Sequence, residues 1–285
     1  MSESPSRNFL VKWTGGAWAL VRCSHPEPVL AVTAACAVLA LAAGRGWGTL
    51  IVIAAVLPGQ LFVGWTNDLL DVEVDRRAGR LDKPLATGEV VSGTVRRAIA
   101  VALLITVVGS LANGITAGLL HLVAVGAATL YNRALKATLF SVLPYAFAFG
   151  SLPSFITLGL SRGHLAPTWS TIAAAALGAG AHFTQALGDI ESDRVQGVGG
   201  LPARLGPLGS LVAAALLLGV SALAAVLGPG QPGQLQLVGL ALAVTLVGAI
   251  VLAGLGGRRR LAFRLTLAAA GAIALILVGS GGKLA

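Results

Sequence analysis

Asn67-Asp68-Leu69-Leu70-Asp71-Val72-Glu73-Val74-Asp75 closes a long apolar run and decides how the rest of the chain is read. Taken as the end of a helix, it stacks Asp68, Asp71 and Asp75 on one face at i, i+3 and i+7, with Asn67 one turn before Asp71. Like charges so placed repel one another, and the arrangement asks for an external counter-charge, most simply a divalent cation with oxygen ligands. A shorter copy lies far downstream, where Asp189 and Asp193 stand at i, i+4 in Gly188-Asp189-Ile190-Glu191-Ser192-Asp193. Only Glu3 and Glu27 of the 11 acidic residues fall outside positions 68–89 and 189–193.

The surroundings of these acids are those of a membrane protein. Apolar residues make up 56% of the chain and charged residues 11%, against about 25% charged in an ordinary soluble domain, and the mean hydropathy is +0.86. The 285 residues leave room for roughly nine spans of about 20 residues. The fold class expected is an all-α integral membrane protein, one transmembrane domain over 1–285. Residues 1–28 form an interfacial lead-in that carries Arg7, Lys12 and Arg22 beside Trp13 and Trp18. The start of the chain is too polar and mixed for a cleavable signal peptide, and Cys23 and Cys36 are too few for a disulfide framework.

Turn chemistry at Gly44-Arg45-Gly46, Asn113-Gly114, Ser161-Arg162-Gly163, Gly228-Pro229-Gly230 and Gly256-Gly257 divides the apolar sequence. Helices are predicted over 29–44, 48–68, 93–112, 115–131, 138–160, 167–190, 206–228, 234–255 and 261–280. With this plan, all 20 lysines and arginines except Arg45, Arg162 and Lys283 lie on one side. The net charge of +9 is therefore a topology signal rather than a nucleic-acid footprint, and it puts the N-terminus and both acidic clusters in or facing the cytoplasm and the C-terminus outside. The second and sixth helices both end in acids and the fourth and eighth both lead into basic loops, which suggests two four-helix halves plus one helix around a central cavity.

One aspartate at a span end could be a solvated loop residue. Five in register on two helices are a different matter, because a carboxylate at membrane depth costs roughly 2.5–3.5 kcal/mol on insertion scales and usually faces a protein interior. Cations crowd the same positions: Arg77 and Lys83 after the first cluster, Lys136 after the fourth helix, Arg194 after the second cluster. Carboxylate, metal and basic side chain together match a polyanion such as a diphosphate, its charge shared between Mg²⁺ and the cations. His182 and Gln185, on an otherwise apolar sixth helix, read as polar cavity lining, while His121 and His164 read as turn or outer-side residues and Arg258-Arg259-Arg260 as a topology signal.

These residues resemble the UbiA superfamily of intramembrane prenyltransferases. The first stretch matches its N-D-x-x-D-x-x-x-D signature, and Asp189 to Asp193 its second D-x-x-x-D motif. Asp82-Lys83-Pro84-Leu85 with Gly88 resembles the family's R-P-L-x-x-G element with Lys for Arg, and Tyr131-Asn132-Arg133-Ala134-Leu135-Lys136 its tyrosine-to-lysine element. The resemblance implies nine helices around a laterally open cavity, with Asp68, Asp71, Asp75, Asp189 and Asp193 holding Mg²⁺ and the diphosphate of a prenyl substrate. Asn67, Arg77, Lys83, Tyr131, Lys136, Arg194 and His182 would contact the substrates. The reaction implied is ionisation of a prenyl diphosphate and transfer of the prenyl group to an aromatic or other lipid-soluble acceptor in the bilayer.

Two alternatives share parts of this pattern. A membrane terpene cyclase of the same superfamily would ionise the same substrate but quench the cation within its own chain. A cation-coupled transporter would also hide carboxylates among helices, yet here the acids gather at one face and none lies mid-span in the third, fourth, fifth or last three helices. A CDP-alcohol phosphotransferase would need D-G-x-x-A-R where the chain has Asp71-Val72-Glu73-Val74.

Overall fold

In a bilayer the backbone has no water to bond with, so long apolar segments close their own i to i−4 bonds and become helices. The computed structural model of the protein describes residues 16–191, 199–280 and 283–284, and these form helices and turns with no strand among them. In chain order the helices are α1 Gly16–Cys23, α2 Pro26–Ala42, α3 Gly48–Arg77, α4 Pro84–Thr87, α5 Ser92–Ala112 and α6 Ile115–Leu130. A π-helical turn, Tyr131–Leu135, continues α6, followed by α7 Leu143–Leu158, α8 Thr168–Ala186, α9 Leu201–Leu227, α10 Gln234–Leu255 and α11 Arg259–Val278.

The longer helices close a ring. Leaving out the four-residue α4, each of α2 to α10 packs on the next along the chain, and α11 returns to α2. Six of them, α3, α5, α6 with its π turn, α9, α10 and α11, are long and apolar enough to cross a bilayer, and α1 with α2, bent by 66°, counts as a seventh if taken as one span. Nine spans were predicted. The two remaining helices fall short for different reasons: α7 is apolar but has only 16 residues, and α8 dilutes its alanines with Thr168, Ser170, Thr171, His182, Thr184 and Gln185.

The side-chain pattern is that of a lipid-facing bundle. On α5, Val101, Leu104 and Val108 are exposed while Ala102, Thr106 and Ser110 are buried. Large apolar chains meet lipid, and small residues let backbones approach inside. Trp47 is 87% exposed at the turn into α3.

Two boundaries matter for the site. α3 runs to Arg77, nine residues past the predicted end at 68, so the whole acidic stretch is helical. Nothing in it breaks a helix, Arg76 and Arg77 suit the negative end of the dipole, and the chain turns away only at Gly79, where φ is +64°. α7 starts at Leu143 rather than 138, because Lys136–Val142 is turn.

Candidate active site

α3 carries the first motif into a pocket of cations. The Asp68 side chain is 1% exposed, and its Oδ1 accepts from Lys83 Nζ at 2.6 Å and from His25 Nε2 at 2.9 Å. Its Oδ2 is buried and has no hydrogen-bond partner. One turn on, Asp71 Oδ1 accepts from Lys136 Nζ, from the segment after α6. Asp75, a turn further, is buried near the end of the helix. Three aspartates in register are tolerable because lysines from two separate loops face two of them.

The loop after α3 reaches across to the second motif. Arg80 donates to Asp82 through Nε at 3.0 Å and Nη2 at 3.2 Å, and its Nη1 lies 3.5 Å from Asp189 Oδ1 beyond the end of α8. Hydrogen bonding from Arg80 draws the Asp82 carboxyl down to about 2, and Asp82 in turn raises the Arg80 guanidinium above its ordinary range. Glu191 accepts from Arg259 Nη2 at 2.5 Å, and Arg260 lies 3.8 Å from Asp82. Both acidic segments thus lie at the same end of the bundle. Asp193 and Arg194 are outside the described residues.

Aromatic rings form a wall beside Lys136. The Tyr131 ring meets Tyr145 edge-on at 5.0 Å and His182 at 5.6 Å, and Tyr145 packs on His182 at 4.9 Å. His182 Nε2 is 3.1 Å from Ser141 Oγ, and the Tyr145 hydroxyl donates to Gln185 Oε1 at 2.9 Å. Gln185 stands one turn before Asp189.

Of the residues predicted for the site, Asp68, Asp71, Asp75, Lys83 and Lys136 gather at the end of α3, and Asp189 lies 3.5 Å from Arg80 in the loop that follows it. Tyr131 and His182 share the aromatic wall, Asn67 is half-buried a turn before Asp71, and Arg77 is exposed at the end of α3. From the sequence, His25 reads only as a candidate acceptor contact near the first helix, Arg80 only as one of the cations after the first motif, and Arg259 only as a topology signal. Nothing local marks a histidine 43 positions before the aspartate it meets, whereas Arg80 and Arg259 were visible as basic residues but not as a link between motifs. Two expectations are corrected. Arg259 and Arg260 engage the acidic loops, besides any topological role. His121 is no turn residue: it is buried within α6, 2.8 Å from Ser110 Oγ and stacked on Phe155 at 4.5 Å.

A model of the UbiA prenyltransferase family matches residues 29–262. The chain belongs to the UbiA prenyltransferase family. Comparison with curated proteins gave no significant match. Among solved structures, this UbiA chain is similar to an apo UbiA homolog from Aeropyrum pernix K1, with a TM-score of 0.72 and 23% identity over 90% of this chain and 96% of that one. A digeranylgeranylglyceryl phosphate synthase gives a TM-score of 0.67 at 18% identity, over 94% and 99% of the two chains. A UbiA homolog from Archaeoglobus fulgidus bound to GPP and Mg²⁺ gives 0.63 at 19% identity, over 93% and 99%. At these identities the likeness concerns the UbiA fold, and the UbiA chain described here is an integral, multi-pass membrane protein of that fold.

Proposed function

We propose that the chain is a Mg²⁺-dependent intramembrane prenyltransferase that ionises a prenyl diphosphate and passes the prenyl group to an aromatic or other lipid-soluble acceptor. The observation that carries the reading is the meeting, within a UbiA fold, of two acidic segments more than a hundred residues apart, linked by Arg80. The solved relative that holds GPP and Mg²⁺ supports the choice of ligand.

The residues fit a hard cation. All the candidate ligands are carboxylate oxygens, the donor type Mg²⁺ prefers, and Asp68 Oδ2 is a buried acceptor with nothing donating to it. Asp68, Asp71, Asp75, Asp189 and Asp193 are the residues that would hold the ion, together with oxygens of the diphosphate. Bound Mg²⁺ would supply positive charge to the departing diphosphate. The cations Lys83, Lys136, Arg77 and Arg194 share that task and orient the leaving group.

The aromatic wall does the complementary work. Tyr131, Tyr145 and His182 keep water from the allylic cation and offer it π-faces, while the prenyl tail lies along apolar helix surfaces. The acceptor's nucleophilic carbon or oxygen attacks that cation and loses a proton to a nearby base. We assign this end of the bundle and the N-terminus to the cytoplasm and the C-terminus to the outside, a reading that the lysine and arginine distribution supports.

The test is direct. Purified protein with Mg²⁺ is incubated with geranyl, farnesyl and longer diphosphates, with and without a panel of phenolic acceptors. Prenylated acceptor is expected; a cyclised hydrocarbon released without acceptor would replace the transferase reading with that of a cyclase.

A further inference from the structure

His25 sits under backbone strain. It is the N-cap of α2 with φ 57° and ψ 69°, and no other non-glycine residue among the described ones has a positive φ. Such a conformation persists only where its surroundings impose it, and it concentrates at functional positions. Here three contacts impose it. Trp65 Nε1 donates to Leu20 O at 2.8 Å, fastening α1 to α3. Arg22 pairs with Glu89 at 2.9 Å. Gly64 lets the Ser24 carbonyl press against α3, where a Cβ would lie 2.4 Å from that oxygen. Gly64 and Asp68 are i, i+4 on one helix face, so the elbow between α1 and α2 arrives one turn before Asp68.

The consequence falls on a single carboxylate. An ionised carboxylate only accepts, so the 2.9 Å contact requires His25 Nε2 to donate. Lys83 donates to the same oxygen and its Nζ lies 3.2 Å from His25 Nε2, so the three polar atoms form a compact triangle. Oδ2 is left buried without a partner on a side chain that is 1% exposed.

We infer that His25 is a positioning residue: with Lys83 it occupies Oδ1 of Asp68 and so presents Oδ2 to the divalent cation. The inference rests on the diphosphate site proposed above. Groups that ligate metals are commonly oriented by an outer hydrogen bond of this kind, and losing it costs about 10- to 100-fold in metal affinity.

The experiment reads Mn²⁺ binding to the full chain by electron paramagnetic resonance, with a non-ionising geranyl thiolodiphosphate present, so that turnover plays no part. His25→Ala should weaken Mn²⁺ binding roughly tenfold or more, and His25→Gln, which keeps a donor of similar reach, should recover most of the loss. His25→Gly separates positioning from folding: it relieves the left-handed backbone and should hold or raise the melting temperature while weakening Mn²⁺ as the alanine does. Unchanged Mn²⁺ affinity in His25→Gly and His25→Ala, with Asp68→Ala abolishing it, would overturn the role of His25 and leave the site standing. Unchanged affinity in Asp68→Ala would overturn the site and this role with it.

Discussion

Asp68 and Asp71 each face a lysine from a different loop, and that pairing offsets part of the repulsion among three carboxylates on one helix face. A variant that removes one acid relieves repulsion as well as losing a proposed metal ligand. Asp71→Ala and Asp189→Ala are therefore expected to lower turnover by roughly 10²-fold or more while the purified proteins melt close to the parent temperature; near-normal turnover in either would count heavily against the site. His182 is 2% exposed and lies against Ser141, so His182→Phe keeps an aromatic ring in the wall but leaves the buried Ser141 hydroxyl with only the Leu201 N–H at 3.4 Å, and it is expected to cost about 1 kcal/mol of stability, read as a lowered melting temperature. The two aspartate motifs were legible as sequence because the chemistry needs particular residue types at helical spacing. His25 was not, since its partner is brought to it by an elbow whose geometry depends on Gly64 and Trp65.

At the level of elements, helix identity was readable and helix length less so. Apolar runs between glycine-rich turns gave all the longer helices, yet hydropathy stops counting where the polar motif begins, and α3 continues as a helix past that point. Packing follows from small residues that composition alone does not single out. A Cβ on Gly178 would lie 2.5 Å from Phe149 Cγ and 2.7 Å from the Tyr145 carbonyl, whereas one on Gly126 would meet nothing within 4 Å. Gly178→Ala should push α7 from α8 at a cost of about 1–3 kcal/mol and disturb the Tyr145 to Gln185 bond. Gly126→Ala should leave stability unchanged or raise it by up to about 1 kcal/mol. Thermal unfolding of the pair, compared in one detergent, checks both.

For the whole molecule, the two ends of the bundle are chemically distinct. Arg22, Lys83, Lys136, Arg80 and Arg259 converge on the acids at one end, while Arg45 bonds Asn113 and Lys283 bonds the Pro229 carbonyl, residues all assigned to the opposite side by the sequence. This agreement between pairing and loop counting makes the orientation testable. Cys23 and Cys36 are both buried, so single cysteines can be labelled against a quiet background: Arg162→Cys should react with an impermeant maleimide from outside intact cells and Arg133→Cys only after the membrane is opened. The opposite pattern would invert the topology. The most direct measurement is the location of the ions themselves, by anomalous scattering from Mn²⁺ in crystals grown with a non-ionising prenyl thiolodiphosphate. Metal density between α3 and the end of α8, touching Asp68 Oδ2 on one side and Asp189 on the other, is the predicted result, and an ion held by one acidic segment alone, or a diphosphate bound elsewhere, would contradict it.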